Sequence, residues 1–490
     1  MDPAALLPPA LRGLPLLAES PDAIWLVGGA PRDFLLQRTT HDFDFVVQGE
    51  ACRLARGVAH ALGADYFALD VPRDVGRVLF GSPEERWTLD FARMRGAEIE
   101  DDLRLRDFTI NAMAVPLRED SPWLDPLEGA ADLKARRLRL CSPEAMHDDP
   151  VRALRAVRFS LELGLRIDAS AAQEIRDVAP RLPSISAERV RDEAFRLLAL
   201  DAPAAALRLM DRLSILTAVF PEVEALRGVV QSSAHAHDAW DHTLAVVDGM
   251  QMVLRFAQDV PDPDGAGDLL LAEANLNLGR YRSELRQHLR RALADTRPTS
   301  SLLYFSALYH DVGKAVTRTV DTRGAVRFLG HEAASAALAS KRATALRLSG
   351  EEIRRIEVTI AQHMRPGQLL KSQPISRRSI YRYFRDCGPA GIDIALLSLA
   401  DLVGKVVPPV APDRWRTRLQ GVRQLLETYF EKRAERLEPL SLVRGEELMS
   451  RLGLAPGPEI GRLLEAIREA QAAGEVSTVE QALELAASLL

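Results

Sequence analysis

The sequence predicts an α+β protein, with a small α/β head followed by a long all-helical body. Three observations carry this expectation. Residues 23–140 hold short β-type runs broken by turns. From Pro150 onward Ala, Leu, Arg and Glu recur at helical spacing. Paired aspartates stand in the first region, and most of the histidines are strung through the second.

Residues 1–22 read as an N-terminal extension. Its start, MDPAALLPPALRGLPLL, is broken by prolines and lacks the basic lead and apolar core of a signal peptide. In the head, 23–140, IWLVGG and DFDFVV are expected as strands with a short helix, Pro31–Gln37, between them. RWTLDFARM is a third strand and RLRL at 137–140 a short fourth. A helical neck (141–228), a second helical domain (229–407) and a C-terminal helical region (408–490) should follow. Their divisions are expected at Pro180–Pro183, in RGVVQSSAHAHD and in VPPVAP. The turn-rich segment 258–268 reads as a mobile loop or insertion, and the tail helix LLEAIREAQAAG should close at Gly474.

At 47% hydrophobic and 27% charged, 490 residues suffice for several cores, about three domains. Cys52, Cys141 and Cys387 lie far apart, which argues against a disulfide framework or a thiolate zinc site and fits a reducing cytoplasm. No run of about 18 apolar residues exists to span a membrane. The net charge of −6 speaks against a nucleic-acid partner, but distribution matters more than the total. Residues 341–386 carry eleven Lys/Arg against four Asp/Glu, with Tyr381, Tyr383 and Phe384 interleaved. This stretch reads either as a phosphate-tracking surface or as a solvated helical face.

The most informative run is LVGGAPRDFLLQRTTHDFDFVV, residues 26–47. Gly28 and Gly29 end a strand and open a helix, where bare N–H groups can approach phosphate oxygens. Arg32, in the first helical turn, is placed to reach a triphosphate. Asp42 and Asp44, two apart on a strand, point to one face. Two such carboxylates at about 4 Å repel by roughly 4 kcal/mol at an effective dielectric of 20, so a cation is needed to offset them. Hard Mg²⁺ ions suit that oxygen-rich spot, one activating an attacking hydroxyl and one stabilising leaving pyrophosphate. Asp90 is the candidate third carboxylate.

These residues resemble the signature of the class II CCA-adding enzyme and bacterial poly(A) polymerase family, within the polymerase-beta-like nucleotidyltransferases. The resemblance continues in order through EDDLRLRDFTINAMAV (100–115), DPLEGAADLKARRLR (125–139), DDPVRALRAVRFSLELG (148–164) and SAERVRDEAFRLL (186–198). It implies ribose recognition by Arg106, Asp107 and Asn111, base recognition in the 148–164 segment, tRNA as acceptor and CTP or ATP as donor. Asp149 followed by Pro150 is a helix start, with Asp as N-cap and Pro at N1. Asp149 and Arg152 then share a helix face, one accepting and one donating hydrogen bonds, an order that matches cytosine and, slightly shifted, adenine. Arg155 and Arg158 continue the stripe toward a triphosphate. Asp148 stands where the family usually has Glu. Only eight residues, Met94–Asp101, separate Arg93 from Asp102. Members that complete CCA are longer here, so the resemblance is to the CC-adding subtype. Alternatives are completion of the full CCA with the loop function elsewhere in the chain, a poly(A) polymerase, and a phosphohydrolase whose head only binds nucleotide.

The phosphohydrolase alternative comes from the body. His242, His310, Asp311, His331, His363 and Asp401 are ligand types that can converge between helices to hold one or two divalent metals. The pair His310–Asp311, with Lys314, resembles the H-D-x-G-K centre of the HD phosphohydrolase superfamily, which implies Mg²⁺ or a divalent transition metal there. Oligomeric state is not legible in the sequence.

Overall fold

The computed structural model describes residues 6–82, 86–118, 122–231, 238–257, 269–294, 297–322, 324–372, 374–405 and 410–490. The expected loop 258–268 lies outside them, as do parts of two expected divisions, 232–237 and 407–409. The chain forms two compact units, Met1–Ile185 with Arg212–Ala218, and Ser186–Asp211 with Val219–Leu490.

In the first unit a strand β1 (Ile24–Val27) leads through Gly28 into helix α1 (Gly29–Leu35) and then β2 (Asp42–Val47). Helix α2 (Ala51–Leu62) follows, then β3 (Asp65–Asp70), β4 (Val75–Gly81), β5 (Arg86–Arg93), α3 (Ile99–Arg104) and β6 (Val115–Pro116). The six strands make one mixed sheet in the order β3-β4-β5-β2-β1-β6. β2 and β5 run parallel, and its other pairs are antiparallel. Alternation along β2 explains the layering. Phe43, Phe45 and Val47 bury against Leu89, Phe91 and the apolar stripe of α2 (Ala51, Ala55, Val58). On the opposite face Val46 packs with Val27 and with Ile99 and Leu103 of α3, while Asp42 is exposed and Asp44 half-buried.

Three expectations are corrected here. β3 and β4 went unread because neither alternates cleanly: β3 is largely exposed and VGRVLFG is interrupted by glycine and arginine. RLRL is a strand over two of its four residues and lies outside the head sheet. Its first two residues form β7 (Arg137–Leu138), which pairs in parallel with β8 (Arg166–Ile167), beyond helix α4 (Arg152–Glu162). The segment is held away by Arg137 and Arg139, which both donate to buried Asp132 at 2.8 and 2.9 Å. The neck helix begins at Arg152, two residues later than expected, because Asp149–Val151 form a tight turn closed by Arg152 N–H on the Asp149 carbonyl (3.0 Å). Asp149 is therefore not the N-cap, a position taken by Val151 without a side-chain cap bond; the Asp149 carboxylate accepts from Val151 N–H at 3.4 Å within the turn.

Among its described residues the second unit is helical apart from one hairpin that the sequence did not announce. Along it run α5 (Ala239–Arg255), α6 (Arg282–Arg290), α7 (Thr299–Tyr309), the hairpin β9 (Arg318–Val320) with β10 (Val326–Phe328), and α8 (His331–Ala345). Then come α9 (Gly350–Ala361), α10 (Arg377–Cys387), α11 (Ala390–Gly404), α12 (Pro412–Phe430) and α13 (Pro458–Ala473). Nearly all of α11 is buried, which fits IDIALLSLADL, apolar on every side, as the central helix. It packs on α5, α7 and α9. As expected, α13 ends at Gly474, whose φ of 79° closes the helix.

For 377–386, the part of 341–386 that carries the aromatics, the reading as a phosphate-tracking surface is also corrected. Tyr381, Tyr383 and Phe384 are buried in the core side of α10 and offer no stacking face. The arginines alternating with them meet acids instead. Arg382 makes a bidentate pair with Glu469 of α13, Arg378 reaches Glu475 at 2.6 Å, and Arg385 bonds Asp386 and lies 3.5 Å from Glu465 and Glu469.

Candidate active site and metal centre

The β2–β5 register brings the head carboxylates together. Asp42 lies opposite Thr88 and Asp44 opposite Asp90, so in two adjacent parallel strands the three acids share one face of the sheet. Burial raises the pKa of Asp44, the charges of Asp90 and Asp42 add to the rise, and Arg106 and Arg155 work against it. Arg77, across from Asp90 on β4, donates from Nε and Nη2 to its two oxygens, both at 2.7 Å. At the strand end Gly28 adopts φ 74°, and a Cβ built there would stand 2.3 Å from Asp44 Oδ2. Only a residue without a side chain lets α1 begin so close to the acid.

Behind this face a polar chain links α1 to α4. Arg32 Nη1 donates to Asn111 Oδ1 (2.6 Å), and Asn111 Nδ2 to Asp107 Oδ1 (3.1 Å). Asp107 Oδ2 receives Arg155 at 2.6 and 2.8 Å. Burial alone would raise the Asp107 pKa, but Arg155, Asn111 and the Phe108 N–H hold it at about 2. Arg32 also donates to Asp33, and Arg106 pairs with Asp102 at 3.1 Å. Arg152 turns its guanidinium to the backbone carbonyls of Leu105, Arg106 and Ala145 (2.9, 3.3 and 3.0 Å). Arg158 pairs with Glu162, and Arg32, Arg155 and Arg158 surround the ring of Phe159 at 5.1, 5.3 and 4.4 Å.

In the second unit all six expected ligands converge. Asp311 lies at the centre: its Oδ2 is 3.1 Å from His310 Nε2 and 3.3 Å from His242 Nε2, and its Oδ1 is 3.3 Å from His331 Nε2. Asp401 Oδ1 stands 3.4 Å from His242, and His363 Nε2 is 3.9 Å from Asp311. The donor atoms fall into two groups able to hold an ion, His242–His310–Asp401 and Asp311–His331–His363. The orientation of the rings fits a metal. Each of the four histidines places Nδ1 against a backbone carbonyl, at 3.0, 2.8, 2.9 and 2.7 Å for His242, His310, His331 and His363. An N–H at Nδ1 leaves the Nε2 lone pair facing the cluster, the tautomer a metal requires. His310 Nε2 is buried and makes no hydrogen bond among the described residues. Charge in the cluster calls for a cation as well. Burial disfavours protonated His242, yet Asp311 and Asp401 outweigh it and lift its pKa to about 9, whereas burial and His310 depress His363 to about 4. Lys314 and Lys405 contact Asp311 and Asp401 at 2.6 and 2.5 Å.

Family models match three stretches of this chain: the poly A polymerase head domain over residues 24–139, the "Probable RNA and SrmB- binding site of polymerase A" over 164–226, and the HD domain over 277–386. An A-adding tRNA nucleotidyltransferase of Deinococcus radiodurans is 32% identical, the match covering 96% of each chain. A CC-adding tRNA nucleotidyltransferase of Thermus thermophilus is 32% identical, over 94% of this chain and 93% of that one. The chain belongs to the tRNA nucleotidyltransferase family. Solved structures share the fold of this tRNA nucleotidyltransferase. A CCA-adding enzyme with ATP superposes with a TM-score of 0.64 at 19% identity, covering 99% and 97% of the two chains. The Thermotoga maritima CCA-adding enzyme complexed with tRNA gives 0.59 at 20%, covering 100% and 99%.

Four residues of the transferase that sequence reasoning missed are Arg77, Asp33, Asp102 and Phe159. Asp33 and Asp102 each neighbour a singled-out arginine or motif and could have been read as partners. Arg77 needed the β4–β5 register, and Phe159 looked like ordinary core on an arginine-rich helix.

Proposed function

We propose that this nucleotidyltransferase adds CMP to tRNA 3′ ends and stops after CC. The observation that carries transfer is the parallel β2–β5 register, which supports a shared seat for two Mg²⁺ at Asp42 and Asp44 with Asp90 beside them. Bound there, the ions would supply charge neutralisation for the triphosphate and acidify the attacking 3′-hydroxyl. The chain's own contribution is positioning. Gly28 and Gly29 bring backbone N–H groups to the phosphates, and the Arg32–Asn111–Asp107–Arg155 chain fixes the segment that meets the ribose. Asp149 and Arg152 read the base, for which Arg152 exchanges its three carbonyl contacts for the donor–acceptor edge of cytosine.

Stopping after CC is supported by how Met94–Asp101 is used. Met94 N–H bonds the Val47 carbonyl, Gly96 turns at φ 91°, and Glu98 and Asp101 form the capping box of α3. No spare chain is left there for a switching loop. The test uses tRNA lacking its last three nucleotides, incubated with labelled CTP, labelled ATP, or both. Two CMP additions are expected, with tRNA ending in CC left unextended by ATP. Equal extension of that tRNA by AMP overturns the stopping point, and no incorporation at all overturns the transferase reading.

A second reading concerns the body. The inward Nε2 atoms and the central Asp311 support a divalent metal, Mg²⁺ or a transition ion, at His242, His310, Asp311, His331, His363 and Asp401, where phosphoester hydrolysis is the chemistry such a centre would supply.

A further inference from the structure

Helices α7, α9 and α11 share a direction. Their C-terminal ends carry the metal centre: His310 and Asp311 follow α7, His363 follows α9, and Asp401 lies in the last turn of α11. Their N-terminal ends open instead on a cavity of about 310 Å³. With helices of 11 to 15 residues between them, the two places are about 15–20 Å apart.

The cavity is lined by Arg291, which follows α6, by Arg354 and Arg355 of α9, and by His288 of α6, with Glu351 the one acid and Tyr429 on the apolar wall. Arg355 is braced from behind: its Nε donates to buried Asp393 at 2.5 Å, and His288 Nε2 lies 2.7 Å from the other oxygen. Among the described residues Arg291 and Arg354 have no acidic partner, in contrast with the arginines of α10. A second hollow, about 780 Å³, shares His288 and Arg291 with the first and adds Arg290, one acid, Glu284, and Arg286, whose Nε donates to the Ala257 carbonyl. Guanidinium groups on a concave wall at three helix N-termini are a phosphate-binding arrangement: the forks donate in pairs, and the helix ends contribute partial positive charge.

We propose that this cavity is an anion site that seats phosphate groups, separate from the head and from the metal centre. The phosphate chemistry is common to an RNA backbone and to a free phosphate or pyrophosphate, and two arms of one experiment tell them apart. In the first, binding of tRNA lacking its CCA end is measured across salt concentrations for the full chain and for the double variant Arg291→Gln/Arg354→Gln. In the second, pyrophosphate is titrated calorimetrically into both proteins with EDTA present, which silences metal-dependent binding elsewhere. If RNA is the source, the variant's log–log salt slope falls by about 1–2, as for one or two lost phosphate contacts. If a free anion is the source, pyrophosphate affinity drops at least about tenfold, the loss of 1.4 kcal/mol or more, while the slope holds. Arg291→Lys/Arg354→Lys should restore most of either effect, because lysine keeps the charge. A double glutamine variant with wild-type thermal midpoint and no change in either arm overturns the proposal.

Discussion

At the scale of single residues, Asp107 shows most directly how the head is held. Its carboxyl is buried yet ionised, with a pKa of about 2 against about 3.9 in an unfolded chain. A folded pKa below the unfolded one stabilises the protein above the unfolded value, and that stability is lost as pH falls through the folded value. The shift corresponds to about 2–3 kcal/mol at neutral pH. Asp107→Asn should therefore be less stable than wild type by about 2 kcal/mol at pH 7. The gap should narrow between about pH 4 and pH 2 as the wild-type carboxyl takes up its proton. Denaturant unfolding of both proteins over that range checks this, and a gap independent of pH would assign the loss to packing. Asp42 and Asp44 were legible because a strand's period of two is local. Arg77 was not, since its meeting with Asp90 depends on a hairpin whose first strand, β4, lacks clean alternation.

Among elements, α10 and α13 show charge being settled within the fold. The cation density of 341–386 was correctly seen in the sequence, but the partner of Arg382, Glu469, lies 87 residues further on, a pairing that no local window reveals. Each such bridge is half-exposed and contributes at most about 1 kcal/mol. Arg378→Ala/Arg382→Ala is expected to loosen the docking of α13, seen as faster hydrogen exchange across residues 458–473, and to leave the salt slope of tRNA binding as it was. A slope reduced by one or more would return these arginines to the RNA surface. Elements with their own terminal signals were readable: Gly474 ends α13 where expected, and the neck helix was displaced by only two residues. The β7–β8 ribbon was unreadable because buried Asp132, and not strand propensity, decides where Arg137 and Arg139 go.

For the whole molecule, the two candidate sites sit in separate compact units of one chain, which passes between those units three times, after Ile185, Asp211 and Ala218. The carboxylate site belongs to the first and the histidine cluster to the second. His310→Ala should reduce tightly bound divalent metal, measured by elemental analysis, while nucleotide addition stays within about twofold. Asp42→Ala should abolish addition and leave that metal content unchanged. If folded His310→Ala lost addition as completely as Asp42→Ala, the two sites would have to be treated as one machine. The α+β class and the order of head and helical body were plain from periodicity. The convergence of the six expected ligands from His242 to Asp401 was legible only through the resemblance to the HD centre, because spacing along a chain says nothing about which helix ends meet.

The turn at Gly28 carries one more implication. A hydrogen atom is the largest substituent its α-carbon can bear beside Asp44, and the backbone there already takes a conformation that other residues resist. The turn and the acid are in effect a single feature written at two positions, so neither can be redesigned without reshaping the other.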